Sequence, residues 1–261
     1  MDLRLPVTGL DRYKSASQRA RVGTESWGAE NFFCPVCVSP RLRSAPQGTA
    51  AIDYICPACG SPFQLKSQSK AFGSRIVDAA YSEMKRAILE DRTPNLYILH
   101  YDLAAWAVRT LILIPRFAFA LSALERRKPL SATARRAGWV GCNIVLDRIP
   151  LDARIPIVQE GRARPHSAVR NAYPRLRPLE NLRVEKRGWT LDVLQVVQSL
   201  NKAEFELSDV YAHAADLAKL HPQNAHIHDK IRQQLQVLRD LGRLEFLGRG
   251  PGRRGGRYRL Q

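Results

Sequence analysis

The sequence is organised around residues 53–67, Asp-Tyr-Ile-Cys-Pro-Ala-Cys-Gly-Ser-Pro-Phe-Gln-Leu-Lys-Ser. An earlier pair, Cys34-Pro-Val-Cys37, is separated by 18 residues from the pair Cys56 and Cys59. Two C-x2-C pairs at this spacing predict one tetrahedral zinc site. Coincidental buried thiols and a redox pair are the alternatives, and two pairs in register favour the metal. Because four thiolates leave no open coordination position, we expect the zinc to be structural.

The same stretch predicts a bent hairpin. The second cysteine pair forms a turn between an apolar run, residues 50–55, and a strand-like run, residues 63–67. Side chains alternate along a strand, so Gln64 and Lys66 point the same way and Asp53 lies on the partner strand. An acid opposite an x-x-Lys pair is typical of a metal-dependent nuclease, with Asp53, Gln64 and Lys66 as its catalytic residues.

Position 64 departs from the chemistry that such a site needs. Two acidic oxygens hold Mg2+ beside the scissile phosphate, and a lysine orients or activates water. Gln64 can ligate Mg2+ through its amide oxygen but brings no negative charge, so we expect weak metal binding or an inactive site. Asp78 and Glu83 fall in a helix predicted over residues 74–90 and are alternative sources of the missing acid.

The composition indicates a globular protein with a polyanionic partner. The 261 residues are 45% hydrophobic and carry a net charge of +17, from 41 Lys and Arg against 24 Asp and Glu. This one-signed charge favours nucleic acid as the partner, and no apolar run approaches the roughly 18 residues of a membrane span. Residues 1–4 do not resemble a signal peptide, so we expect a cytoplasmic, bacterial-type protein with reduced cysteines. We expect Cys142, the fifth cysteine, to be buried.

The chain divides into two parts with different patterns. Helices near residues 13–25 and over 74–90, together with three short apolar runs, predict a mixed α/β core up to about residue 160. The apolar runs are residues 95–99, 108–114 and 154–158. Residues 162–183 are rich in Arg and Pro without a clear period, which predicts a linker or surface arm. From Trp189 onwards, three helices and a terminal hairpin predict a winged helix. The helices lie near residues 190–201, 208–220 and 224–241.

The third of these helices has a candidate DNA-binding face. Its apolar stripe is predicted to be core and consists of Ile227, Ile231, Leu235, Leu238 and Leu241. Arg232, Gln233 and Gln236 lie opposite, where glutamine can bond adenine and arginine can bond guanine or phosphate. An ordinary solvated helix face is the alternative. The tail is rich in glycine and arginine, includes Arg253 and Arg254, and favours phosphate contacts.

Residues 127–139 combine cations, hydroxyl groups and an aromatic ring in one loop. Arg135, Arg136 and Trp139 stand close together at its end. The segment stands out because it brings these three kinds of side chain together. The alternative is a surface loop whose Trp139 is tucked into the core.

Taken together, these segments resemble the DpnI-like family of N6-methyladenine-dependent restriction endonucleases. The resemblance spans nearly the whole chain and rests on residues 13–15, the two cysteine pairs, Asp53, and residues 65–67, 127–130, 133–139, 141–144, 187–190 and 230–236. It implies an α/β (α+β) PD-(D/E)XK nuclease core with an inserted zinc site of four cysteines and a C-terminal winged helix, both domains binding methylated DNA. It also implies that Asp53 is the metal-binding acid, that Lys66 is the catalytic lysine, and that Gln64 stands where the family has glutamate. Trp139 falls in the segment that recognises the methylated base.

We therefore predict a catalytic domain over residues 1–184, with a zinc hairpin at 34–67 and a basic linker at about 160–184, and a winged helix over 185–261. The predicted cofactors are structural Zn2+ and catalytic Mg2+, the latter held by Asp53, Gln64 and Leu65. The predicted partner is double-stranded DNA methylated at adenine in GATC, cut by a monomer. The predicted DNA-binding residues are Lys14, Arg135, Arg136, Trp139, Arg232, Gln233, Gln236, Arg253 and Arg254.

Two other classes of protein stay open at this point. One is a methyl-DNA reader that keeps the nuclease fold but does not cut, because Gln64 replaces an acid. The other is a transcription factor built from a zinc ribbon and a winged helix, in which Asp53 and Lys66 would be idle. Incubating methylated and unmethylated GATC duplexes with Mg2+ or Mn2+ separates the three.

Overall fold

The computed structural model describes residues 1–49, 51–249 and 255–261. The α-helices are α1 (Ala16–Asn31), α2 (Tyr81–Leu89), α3 (His166–Ala172), α4 (Val184–Ser199), α5 (Leu207–Tyr211), α6 (Ala214–Leu220) and α7 (Ile227–Asp240). The strands are β1 (Arg43–Ser44), β2 (Tyr54–Ile55), β3 (Pro62–Gln68), β4 (Arg75–Ala80), β5 (Asn95–Asp102), β6 (Ala107–Ile114), β7 (Leu124–Arg126), β8 (Gly141–Val145), β9 (Ile155–Gln159), β10 (Arg162–Ala163), β11 (Glu204–Glu206), β12 (Leu244–Arg249) and β13 (Gly256–Leu260). Short 3-10 helices cover Arg116–Ala118, Leu121–Ala123, Leu146–Arg148, Leu151–Ala153 and Tyr173–Asn181.

A seven-stranded sheet in the order β1-β2-β3-β5-β6-β9-β10 forms the centre of the first part. Strands β3 and β5 are parallel, and the other neighbours are antiparallel. Its middle strands are covered on both faces, and Ile98, Leu111 and Leu113 are fully buried. Helix α1 lies against β3, where the hydroxyl oxygens of Thr24 and Ser67 are 3.0 Å apart. The predicted mixed α/β core is confirmed.

Residues 74–90 do not form the single helix that we predicted. They form strand β4, in a second sheet ordered β4-β8-β7, followed by helix α2. Burial alternates along the strand, with Ile76 and Asp78 inside and Val77 exposed. The apolar spacing from Ile76 to Ile88 also fits a helix, so the pattern could not separate the two structures. Asp78 therefore lies on a strand, whereas Glu83 lies on α2.

The Arg- and Pro-rich segment is folded onto the first part and is not the linker that we predicted. It forms β10, α3 and a 3-10 helix. Val169, Tyr173, Leu176 and Leu179 are at most 4% exposed, and the Tyr173 hydroxyl donates to Asn95 Oδ1 at 2.9 Å. The three- and four-residue spacing of these side chains is helical, and the intervening prolines concealed it.

The second part consists of helices α4 to α7 and a small sheet ordered β11-β13-β12. The predicted apolar stripe of α7 is its core face, with Ile231, Leu235 and Leu238 fully buried. Strand β11 was not predicted, and the expected helix over 208–220 is divided into α5 and α6. The four helices and the hairpin form a C-terminal domain of the helix-turn-helix type. No helix among the described residues has the length and apolarity needed to cross a bilayer.

Polar contacts join the two parts. Asp192 on α4 is buried; its carboxylate accepts a hydrogen bond from Ser122 Oγ at 2.5 Å and lies 2.7 Å from His221 Nε2. The buried guanidinium of Arg187 lies 2.5 Å from Asp91. The contacts of Asp192 with Ser122 and of Arg187 with Asp91 therefore tie α4 to the α/β part.

Candidate active site and DNA-binding surfaces

The four cysteines of the two pairs converge as predicted. Their sulfur atoms all lie within 4.8 Å of one another, with Cys34 3.7 Å from Cys59 and Cys37 3.6 Å from Cys56. Ligands about 2.3 Å from a tetrahedral zinc ion are about 3.8 Å apart, so the cluster fits zinc. A metal here would tie the loop after α1 to the turn between β2 and β3.

That turn places Asp53 opposite Gln64. Tyr54 pairs with Phe63, and the Asp53 amide donates to the Phe63 carbonyl at 2.9 Å. The Asp53 carboxylate then accepts a hydrogen bond from the backbone amide of Leu65 at 2.7 Å. The Asp53 carboxylate also faces α1. The pKa of Arg21 on that helix is raised mainly by Glu25 and to a smaller extent by Asp53. The zinc turn thus brings an acid to the start of the x-x-Lys motif.

Lys66 makes an ion pair that the sequence did not reveal. Its ammonium lies 2.6 Å from Asp78 Oδ1, and the Asp78 side chain is 1% exposed against 25% for Lys66. Lys66 on β3 and Asp78 on β4 belong to different sheets, so the pair bridges them. A carboxylate that is buried this completely requires a cation beside it.

Gln64 and Asp78 line one cavity of about 520 Å3 that also contains Arg136 and Trp139. Gln64 is 8% exposed, and no hydrogen bond within the described part of the chain reaches its side-chain amide. Its oxygen and the carboxylates of Asp53 and Asp78 are the hard donors that Mg2+ prefers. Gln64 and Asp78 therefore bring an amide oxygen and a carboxylate that fit a divalent cation to one cavity, and Asp53 lies opposite Gln64 in the hairpin.

Trp139 lines the same cavity and is half-buried, not tucked into the core. Its ring lies across Gly141, where a Cβ atom would come within 2.8 Å of it, so only glycine leaves room there. The guanidinium of Arg136 lies 5.0 Å above the ring, whereas Arg135 is exposed on the same loop. The cavity therefore has an aromatic wall, with Arg86 and Arg92 as further cations that the sequence did not single out.

Removing the aromatic wall should affect methyl recognition more than folding. Trp139→Ala is expected to weaken binding of N6-methylated duplex by about 1–3 kcal/mol, because stacking and methyl contact are lost. Unmethylated duplex should be affected less. Fluorescence anisotropy with both duplexes measures the difference, and Trp106→Ala, in a different part of the structure, is the control. Equal losses for the two duplexes would contradict a methyl-reading role.

The helix-turn-helix domain presents the predicted polar face. Arg232, Gln233 and Gln236 are exposed on α7, and Arg232 pairs with Asp229 one turn earlier. A groove of about 190 Å3 separates this face from the hairpin, and the exposed ring of Phe246 lies in it. Lys14 is exposed just before α1, on the first part.

Two arginines of the C-terminal hairpin form ion pairs that the sequence does not indicate. Arg257 and Arg259 each pair with Glu204 on β11, at 2.8 and 2.7 Å, and Arg259 also pairs with Glu245. The unpredicted strand β11 brings Glu204 alongside these two arginines, so they are already paired where the sequence predicts phosphate contacts. Arg253 and Arg254 lie outside the described residues.

Binding experiments should distinguish the base contacts of this domain from its phosphate contacts. Gln233→Ala or Gln236→Ala is expected to cost about 1–3 kcal/mol of discrimination between GATC and altered sequences, as for a bidentate glutamine contact. Replacing Arg253 and Arg254 should instead weaken all duplexes alike and reduce the salt dependence. Binding titrations at several salt concentrations measure both effects. If a glutamine variant keeps the wild-type sequence preference, α7 does not take part in base recognition.

A mixed α/β domain with a four-cysteine cluster, joined to a helix-turn-helix domain, defines a class of DNA-binding protein. Comparison with family models specifies the class: the DpnI, Dam-replacing family matches residues 1–182, and the Dam-replacing HTH domain matches residues 185–254. The chain belongs to the DpnI family. This is a family of restriction endonucleases, and membership implies methylation-dependent restriction.

Proposed function

We propose that the protein is a Mg2+-dependent type II restriction endonuclease that cuts both strands of GATC sites carrying N6-methyladenine. The observation that carries the proposal is one shared cavity, which is lined by Gln64, Asp78, Arg136 and Trp139. Residues 1–184 would be a PD-(D/E)XK nuclease and residues 185–261 a second DNA-binding domain.

The proposed site assigns one task to each side chain. Asp53, Gln64 and the backbone of Leu65 would hold Mg2+, which when bound neutralises charge on the phosphate and activates water. The ammonium of Lys66 orients the attacking water and offsets the charge that develops on the phosphate oxygens. Arg136 contacts the backbone beside the flipped or partly unstacked base, and the Trp139 ring contacts its methyl group. Lys14 and Arg135 contact flanking phosphates.

The test of this proposal measures binding and cleavage on the same duplexes. Fully methylated, hemimethylated and unmethylated GATC duplexes are bound in Ca2+ and cut in Mg2+ or Mn2+. We expect tight binding and double-strand cutting of the methylated duplex only. Cutting that ignores methylation, or of sites unrelated to GATC, would overturn the proposed specificity.

A catalytically silent methyl-DNA reader is the second candidate, and the charge-free amide at position 64 favours it. Gln64→Glu restores an acid and is expected to raise the cleavage rate or lower the Mg2+ requirement. If the wild-type protein cuts well and Gln64→Glu neither cuts faster nor needs less Mg2+, the glutamine does not limit cleavage. If neither protein cuts any duplex that it binds, the silent reader is the better description.

A further inference from the structure

Strand β4 places Asp78 on its buried side by the ordinary alternation of side chains. Its pairing with β8 follows a regular register from Arg75 to Val77 and shifts before Ala80, so that the ladder is irregular at residues 78–79. Such irregularities are common beside active sites. The Asp78 side chain is 1% exposed and lies next to Lys66. The buried thiol of Cys142 closes the other side and donates to the Ala79 carbonyl at 3.4 Å.

The cavity therefore holds a buried negative charge that position 64 lacks. An isolated carboxylate buried this deeply is strongly disfavoured, and a cation beside it is what permits the charge. In the structure that cation is the Lys66 ammonium, which lies 2.6 Å from Oδ1. The side-chain amide of Gln64, which has no hydrogen-bond partner among the described residues, lines the same cavity. A neutral oxygen donor and a buried carboxylate thus occupy the place where an acidic pair is needed.

Glu83, the other acid of the cavity wall, does not fit this role. Its side chain is 59% exposed and pairs with Arg86 one turn further along α2. An exposed carboxylate that already pairs with an arginine gains little free energy from a further cation. Glu83 therefore provides a matched comparison, since it differs from Asp78 mainly in burial and in partner.

We propose that Asp78 supplies the negative charge missing at position 64 and acts as the second acidic ligand of the divalent cation, with Gln64 as a neutral donor beside it. This inference rests on the proposed metal-dependent nuclease. In the cation-free protein Lys66 neutralises Asp78, and when a divalent cation is bound the carboxylate is shared between the two. Asp53 and Asp78 then provide the two charges, Asp53 from the residue before β2 and Asp78 from β4.

The test uses the zinc-loaded full chain and counts bound Mn2+ by the electron paramagnetic resonance signal of the free ion. The proteins are wild type, Asp78→Asn, Gln64→Glu, the double variant, and Glu83→Gln as the control. Cleavage of methylated duplex is measured in parallel, and thermal unfolding and zinc content verify the fold. Because Mn2+ binding needs no cleavage, it tests Asp78 even if the protein does not cut DNA.

Asp78→Asn is expected to weaken Mn2+ binding about tenfold or more, as a lost ligand charge does. Gln64→Glu should restore most of that affinity in the double variant, because it returns a carboxylate to the cavity, while Glu83→Gln should match wild type. If Asp78→Asn stays folded and binds Mn2+ like wild type, Asp78 only positions Lys66 and the proposal is wrong. A double variant that is folded but binds no better than Asp78→Asn would also overturn it.

Discussion

Replacing Asp53 with alanine is expected to abolish cutting of methylated DNA while leaving duplex binding intact. The Asp53 carboxylate, which accepts a hydrogen bond from the Leu65 amide at 2.7 Å, is a proposed ligand of the metal ion. A bound metal ion contributes several kcal/mol to stabilising a phosphoryl-transfer transition state, so its loss should lower the rate by about a thousandfold or more. Gel-based cleavage and anisotropy on the same duplex measure the two effects.

Lys66→Ala should have the same effect on cleavage for a different reason. It removes the ammonium from the phosphate and also leaves Asp78 buried without its cation, which destabilises a protein by about 3–5 kcal/mol. Thermal unfolding must therefore accompany the activity measurement, and Lys85→Ala, an exposed lysine on α2, is the control. If either Asp53→Ala or a folded Lys66→Ala cuts at the wild-type rate, the site lies elsewhere.

Loss of one zinc ligand should have the largest effect on stability. We expect about one zinc per chain, and Cys56→Ser should release it, because three thiolates no longer complete the tetrahedron. Binding of structural zinc is folding free energy, of the order of 10 kcal/mol in small zinc domains. A loss of several kcal/mol in a chain of this size lowers Tm by about 10 °C or more. Metal analysis and calorimetry report both changes.

The fifth cysteine provides the control for this experiment. Cys142 is fully buried, and its burial, with the nearby charge of Asp78, raises its pKa to about 11. Cys142→Ala therefore removes a thiol that is neither charged nor a candidate ligand, and it should retain full zinc. A metal-free preparation that is folded and active would show that the cysteine cluster is not a structural zinc site.

The four-cysteine cluster and the apolar face of α7 could be predicted because their patterns are local. Two C-x2-C pairs bring four sulfurs together whatever the surrounding fold, and the structure places them within 4.8 Å. The apolar stripe from Ile231 to Leu238 has only a helical explanation over its length, and it is buried as expected. In both cases residues close in sequence determine the geometry.

The parts that could not be predicted depend on contacts between distant elements. Asp78 becomes significant only because β4 pairs with β8 and turns it towards Lys66, 12 positions earlier. Glu204 neutralises Arg257 only because β11 lies beside β13. Likewise, the packed helices over residues 166–181 were hidden because their apolar spacing is interrupted by prolines. The local spacing of apolar residues does not determine which strands become neighbours.

The most direct test of the proposed function is one ratio of initial cleavage rates. Two GATC duplexes that differ only in N6-methylation of the adenines are incubated separately with the zinc-loaded protein and Mg2+, and double-strand products are quantified. We expect the methylated duplex to be cut at least about a hundredfold faster, since the lost methyl and stacking contacts of Trp139 and the helix-turn-helix domain are each worth about 1–3 kcal/mol. Equal rates on the two duplexes would contradict the proposal.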